Sequence, residues 1–250
     1  MEKTHYSLSS LSGVIITTAL AVVLNPLAIF VLKVKRGATR FVDMLFISMA
    51  VSDFFQAIIV FPFDVVALQK GRFPFDINYC SAIAFLHTFL ALTSIAHFTI
   101  LAAARACVIW RPIKFKMVLE KTGVRAFLIS LGWGYALVWS IMPLLGWANY
   151  GIEPNGIICS VDWTQGTSSS KAYIYCLFFF CFIIPVVAMI GSIVSIFMLK
   201  KMRMNQNDAS ANANNQQTPK SRSWKTLLVF LMFGKSNFYF VFTKGLYIFY

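Results

Sequence analysis

The stretch from Ile77 to Trp110 reads INYCSAIAFLHTFLALTSIAHFTILAAARACVIW, and its only formal charge is Arg105. Crossing a hydrocarbon core of roughly 30 Å takes about 20 apolar residues at about 1.5 Å rise each. This run is therefore long enough to span a bilayer with turns to spare. Inside a bilayer no water is at hand for the peptide groups, so they must bond to one another, and a single run does this as an α-helix. A soluble core would call for an apolar stripe along one face, not an apolar cylinder.

Four further runs have the same character, at about residues 13–32, 41–68, 122–147 and 172–199. Pro62, Pro143 and Pro185 fall inside them, which membrane bundles accommodate as kinks because neighbouring helices re-satisfy the freed backbone groups. Over all 250 residues 58% are hydrophobic and 12% charged, against roughly 45–50% and about 25% in soluble domains. Between Met202 and Ser223 the composition turns to Asn, Gln, Ala and Ser with basic ends. Such a segment buries too little apolar surface to fold and reads as a disordered loop, about 202–223. A sixth run, about 224–250, opens with Trp224 to Phe233 and then changes to a tract rich in Phe, Tyr, Lys and Ile. The expectation is one all-α membrane domain over 1–250, with five clear spans and a partial or aberrant sixth.

The formal charge of +13 is placed by topology. Lys33, Lys35, Arg36 and Arg40 follow the first run, while Arg105, Arg111, Lys114, Lys116, Lys121 and Arg125 follow the third. Lys200, Lys201, Arg203, Lys220, Arg222 and Lys225 follow the fifth, whereas the alternate connections carry only Lys70, Arg72 and Lys171. Short basic loops stay cytoplasmic during insertion, which predicts an extracellular N-terminus and a multi-pass protein of the plasma membrane, or of the endoplasmic reticulum if retained. A nucleic-acid partner would need the charge gathered on one folded face, so none is expected. The first run is too long for a cleavable signal and reads as a signal anchor. Of five cysteines, Cys107, Cys176 and Cys181 lie inside apolar runs, and Cys80 and Cys159 lie at the outer ends of segments. That compartment preserves disulfides, so these two are the expected pair.

Polar residues inside apolar helices are costly and mark function. Asn25 stands in the first helix, Asp53 in the second within LFISMAVSD (residues 45–53), Trp133 in the fourth and Pro185 in the fifth, and the third opens with Cys80 and closes with Arg105. One marker per helix in this order resembles the rhodopsin-like G-protein-coupled receptors over about residues 13–233. The resemblance implies a seven-helix fold, a water or sodium network at Asp53, and a heterotrimeric G protein engaged by Arg105. Asn25 is expected to hydrogen-bond across to the second helix, Trp133 to pack between helices, and Pro185 to kink the fifth.

A narrower stretch, GWANYGIEPNGIICSVDW (residues 146–163), is similar to the second extracellular loop of animal opsins. In that family the loop is a short hairpin over a retinal pocket, pinned by a disulfide that Cys80 and Cys159 would form here, and Gly and Pro suit its tight turn. Glu153, six positions before Cys159, matches a loop glutamate that can serve as counterion to a protonated Schiff base, favouring the charged imine. The alternative counterion position of vertebrate visual opsins, three residues after the third-helix cysteine, is Ile83.

Departures from the family are equally plain. Its acid-Arg-aromatic triplet is Ala104-Arg105-Ala106 here, which removes the local acid that restrains the arginine. No Cys-Trp-x-Pro kink follows Phe233, and no Asn-Pro-x-x-Tyr segment is present. Lys244, in FTKGLY (residues 242–247), resembles the neighbourhood of the retinal lysine but arrives too early for a separate seventh helix. The expectation is an opsin chain truncated after the start of the sixth helix, with retinal implied by the family and no located lysine to hold it.

Enzyme chemistry finds no footing. His87 and His97 lie ten positions apart in one helix and face different sides, no His, Cys and carboxylate set has metal-ligand spacing, and neither Ser48 nor Ser52 is expected to have a base to activate it. Two other readings stand beside the opsin one. The first is a rhodopsin-like receptor for a small ligand or peptide, although the outer third helix lacks the aspartate an amine would need. The second is a regulatory partner that dimerises with an intact receptor.

Overall fold

The computed structural model of the chain describes residues 8–37, 40–164 and 167–211. Its helices, in chain order, are α1 (Leu8–Arg36), α2 (Phe41–Lys70), α3 (Ile77–Trp110), α4 (Pro112–Glu120), α5 (Thr122–Ile141) and α6 (residues 168–211). A two-stranded antiparallel hairpin, β1 (Tyr150–Ile152) and β2 (Cys159–Val161), lies between α5 and α6. Among the described residues five helices are long and apolar enough to cross a membrane, all but the short α4. The sixth run at 224–250, with Lys244, lies outside the described residues, as does most of the 202–223 segment.

The longest span is also the hub. α3 packs against α2, α5, α6 and both strands, and its inward residues Ala84, Thr93, Ser94, Leu101 and Ala102 are fully enclosed. α1 is different: Val23 is 63% exposed and Phe30 61%, a surface suited to acyl chains, which solvate apolar side chains as well as a protein interior does. Cys80 marks one end of the bundle, here the disulfide end, and Arg105 marks the opposite, basic end.

Helix ends follow local chemistry and correct several expected boundaries. α3 begins where the Asp76 carboxylate accepts from the Ile77 N–H at 2.8 Å, and α6 begins at Ser168 because the Thr167 hydroxyl accepts from the Ser170 N–H. Such caps satisfy backbone donors that no preceding turn can reach. α2 stops at Gly71, whose φ of +64° is the left-handed conformation that closes helices. α6 continues to Ala211, so residues 202–211 are helical and not part of a disordered loop. No glycine or proline interrupts that stretch, so nothing local stops the helix on leaving the apolar run. The segment 112–120, read only as a basic connection, forms α4 with Pro112 at its first position, where a missing N–H costs nothing.

Prolines shape the other boundaries. α5 ends at Ile141 and not at residue 147, with Pro143 in the turns that follow. Pro143 has no N–H for the Trp139 carbonyl four residues back; the Tyr173 hydroxyl donates to that carbonyl instead, at 2.8 Å. Tyr150 donates to the neighbouring Ser140 carbonyl at 2.7 Å. In α2 and α6 the turns before Pro62 and Pro185 widen into π-helix at Gln56–Val60 and Phe179–Ile183. Within the second of these, the Phe180 carbonyl would look five residues ahead to Pro185, which cannot donate. The Tyr135 hydroxyl of α5 donates to it at 3.0 Å. Three tyrosines therefore stand in for backbone donors that prolines or a helix end remove, and each joins α5 to α6 or to the hairpin.

Candidate functional site

The hairpin roofs the disulfide end. Its register pairs Tyr150 with Val161, Gly151 with Ser160 and Ile152 with Cys159. Glu153 to Gly156 make the turn, with Gly156 N–H donating to the Glu153 carbonyl at 2.7 Å and Glu153 N–H to Ile158 at 2.8 Å. Gly156 has φ +75°, which a side chain rarely tolerates. Two fastenings hold the roof down. Cys80 and Cys159 form a disulfide with Cα atoms 5.3 Å apart, and Phe73 N–H donates to the Gly156 carbonyl at 2.9 Å. Beneath lies an apolar cluster that includes Ala67, Phe73, Ala84, Ala148, Tyr150, Val161 and Tyr173, flanked by Trp139 and Trp147. Burial pushes the Tyr150 phenol above its ordinary range, so it remains a donor.

Glu153 sits at the turn, half-buried, and its carboxylate accepts from the Asn155 side chain at 3.3 Å. Ile83, the alternative position, is buried and packed with Val60 and Leu90.

Midway through the bundle, two polar layers join α2 to α3. In the first, the Ser94 hydroxyl donates to the Asp53 carboxylate at 2.8 Å and lies 2.7 Å from the Ser52 hydroxyl. In the second, one turn away along α2, Ser48 Oγ accepts from Trp133 Nε1 at 2.9 Å and lies 3.2 Å from His97 Nε2. His97 Nδ1 is 2.7 Å from the Thr93 carbonyl. A carbonyl only accepts, so the proton is on Nδ1, and in the neutral ring Nε2 accepts from Ser48. Trp133, Ser48, His97 and Thr93 thus form one hydrogen-bonded chain that ties α5, α2 and α3 together. Trp133 thus does more than pack: its ring stands 5.6 Å from Phe89 and 6.2 Å from His97, and its N–H is part of the tie.

Two expectations are corrected here. The Asn25 amide donates to the Ala21 carbonyl of its own helix at 2.9 Å and not across to α2, because that carbonyl, one turn back, is within easy reach of a short side chain. Ser48 does have a basic nitrogen nearby in His97, which the sequence hid because the two lie on different helices. The pair sits within the membrane-spanning bundle, with the serine oxygen already occupied by Trp133. Among the described residues no group of three or more His, Cys, Asp or Glu side chains could hold a metal.

At the basic end Arg105 is half-buried. Its neighbour Ala104 packs against Phe41, Leu45 and Leu101, and this apolar setting occupies the position where the family carries its acid.

Five apolar spans, joined by a disulfide-pinned hairpin at one end, are the build of a multi-pass membrane protein. The sequence matches the 7 transmembrane receptor (rhodopsin family) profile over residues 24–244; the chain belongs to that receptor family, which is not a family of enzymes. Melanopsin of Felis catus is 30% identical over 246 residues, covering 93% of this chain and 49% of the relative. Pinopsin of Gallus gallus is 25% identical over 197 residues, covering 79% and 55%. The crystal structure of squid rhodopsin superposes with a TM-score of 0.69 at 22% identity, covering 80% of this chain and 54% of that one. The chain spans about half the length of the relatives it matches. The opsin likeness read from residues 146–163 agrees with these comparisons, and the seven-helix fold class agrees with the squid structure.

Proposed function

We propose that the chain is part of a light-sensing opsin, oriented with its N-terminus and hairpin outside and its basic end in the cytoplasm. The observation that carries this is the hairpin of residues 150–161, opsin-like in sequence and pinned over the disulfide end by Cys80–Cys159. The loop charges support the orientation.

Retinal is the chromophore the family implies, and the described residues meet part of its needs. The roof and the aromatic cluster of Trp139, Trp147 and Tyr173 would exclude water, and Glu153 would hold negative charge near a bound cation. Covalent attachment requires a lysine well inside a span, and among the described residues Lys33, Lys70 and Lys171 all stand in the end turns of their spans. Retinal, when bound, supplies light absorption and isomerisation. The chain's own part is to enclose it, and to pass helix movement through the Asp53 layer to Arg105 and a G protein.

The test is reconstitution with 11-cis-retinal, with and without a co-expressed segment carrying the sixth and seventh helices of a melanopsin. A visible, hydroxylamine-sensitive band is expected only in the complemented sample. No band in either would overturn the opsin reading. A band from the 250 residues alone, lost in Lys244→Ala, would place the attachment at Lys244.

A further inference from the structure

α4 is clamped between two membrane spans: it begins two residues after α3 ends at Trp110 and stops two residues before α5 begins at Thr122. A nine-residue helix held at both ends in this way cannot leave the surface of the bilayer. Its inward side is settled, since Leu119 packs against the Phe41, Leu45 and Leu101 cluster and Phe115 is half-buried. On the outward side Ile113 is 75% exposed and Met117 57%, one helical turn apart. Trp110, at the end of α3, is 81% exposed. Large apolar side chains exposed one turn apart, on a helix whose other side is packed, mark an interaction surface.

The charge around them identifies the partner. Arg111, Lys114, Lys116 and Lys121 are all exposed beside this pair, and the one acid in α4 is Glu120. Apolar residues at helical spacing, flanked by lysines long enough to reach past them, are the pattern of a helix lying in the headgroup region of an anionic leaflet. The lipid-facing surface continues into α5, where Phe127 is 65% exposed and Leu131 49%. We propose that α4 is a docking element for anionic phospholipid headgroups of the bilayer that the chain spans. Ile113 and Met117 enter the acyl boundary, Lys114, Lys116 and Lys121 neutralise headgroup charge, and the basic end of α3, with Arg105, is braced against the membrane.

The inference rests on the cytoplasmic placement of the basic end only for its physiological setting. In a nanodisc both faces meet the same lipid, so its test is separate from the orientation and from light sensing. Hydrogen exchange of the peptide covering 112–121 would be compared in discs of phosphatidylcholine and in discs that also contain phosphatidylserine. Exchange is expected to slow by about tenfold or more with the anionic lipid, and to lose that response in the Lys114→Gln, Lys116→Gln, Lys121→Gln variant. Ile113→Ser with Met117→Ser should lose the slowing while keeping the lysines. Equal exchange in both lipids would overturn the proposal. So would protection that appears only on adding a G protein, whatever the lipid charge. The wild-type comparison alone decides if the variants fail to fold.

Discussion

His97 shows how much a single buried side chain can organise. Its ring is wholly enclosed, bonded at both nitrogens, and pressed against Gly132, where a Cβ would come within 2.8 Å of Cε1 and 3.0 Å of Nε2. Ring atoms cannot swing aside as a flexible chain end would, so the glycine is needed for space, not for backbone freedom. Gly132→Ala is expected to destabilise the bundle by about 1–3 kcal/mol through overpacking, seen as a lower unfolding temperature in detergent. A companion His97→Asn, which shortens the intruding ring, should recover part of the loss; an unchanged Gly132→Ala protein would count against the packing described. None of this was legible beforehand. The sequence marked Asp53 and Trp133 as polar or bulky residues in spans, but the distance in sequence between Ser48, His97 and Trp133 concealed that they meet.

At the scale of elements, the prolines were legible and their consequences were not. Pro62, Pro143 and Pro185 announced interrupted backbone bonding, yet they produced two π-helical turns and one early helix end. What decides the outcome is whether another donor reaches the freed carbonyl, and the tyrosines of neighbouring elements do so. Tyr173→Phe keeps the ring among Trp139 and Trp147 but leaves the Trp139 carbonyl without its phenol. A buried acceptor so deprived costs about 1–3 kcal/mol. The expected result is reduced thermal stability with the wild-type circular dichroism retained. A loss no greater than that of an exposed substitution such as Tyr175→Phe would show that Tyr173 contributes by packing alone. Helix lengths show the same limit: the apolar runs located all five spans, while the ends depended on Asp76, Thr167 and Gly71 and on the continuation of α6 past its apolar run.

For the whole molecule, run length located the spans because a bilayer imposes that rule directly on sequence. The roof was legible only through likeness to opsins, since three-residue strands leave almost no pattern of their own. Its fastening matters to the entire chain: the bridge between Cys80 and Cys159 spans a separation of 79 residues, and in the chain-entropy account closing a loop of that size is worth about 4.5 kcal/mol. Cys80→Ser is therefore expected to lower surface delivery and thermal stability together, and Cys80→Ser with Cys159→Ser to be no worse than either alone. A double variant much worse than both singles would mean that the cysteines act separately.

That same bridge also keeps time during synthesis. With the hairpin outside, as proposed, Cys80 reaches the lumenal side before α3 has crossed, and its partner arrives only after α3 and α5 have both been threaded through the membrane. In that orientation Cys80 waits until then as a thiol in an oxidising compartment, open to mispairing. Closure of the roof therefore certifies that the third and fourth crossings were made in the right sense, and a nascent chain that has one of them inverted cannot close it.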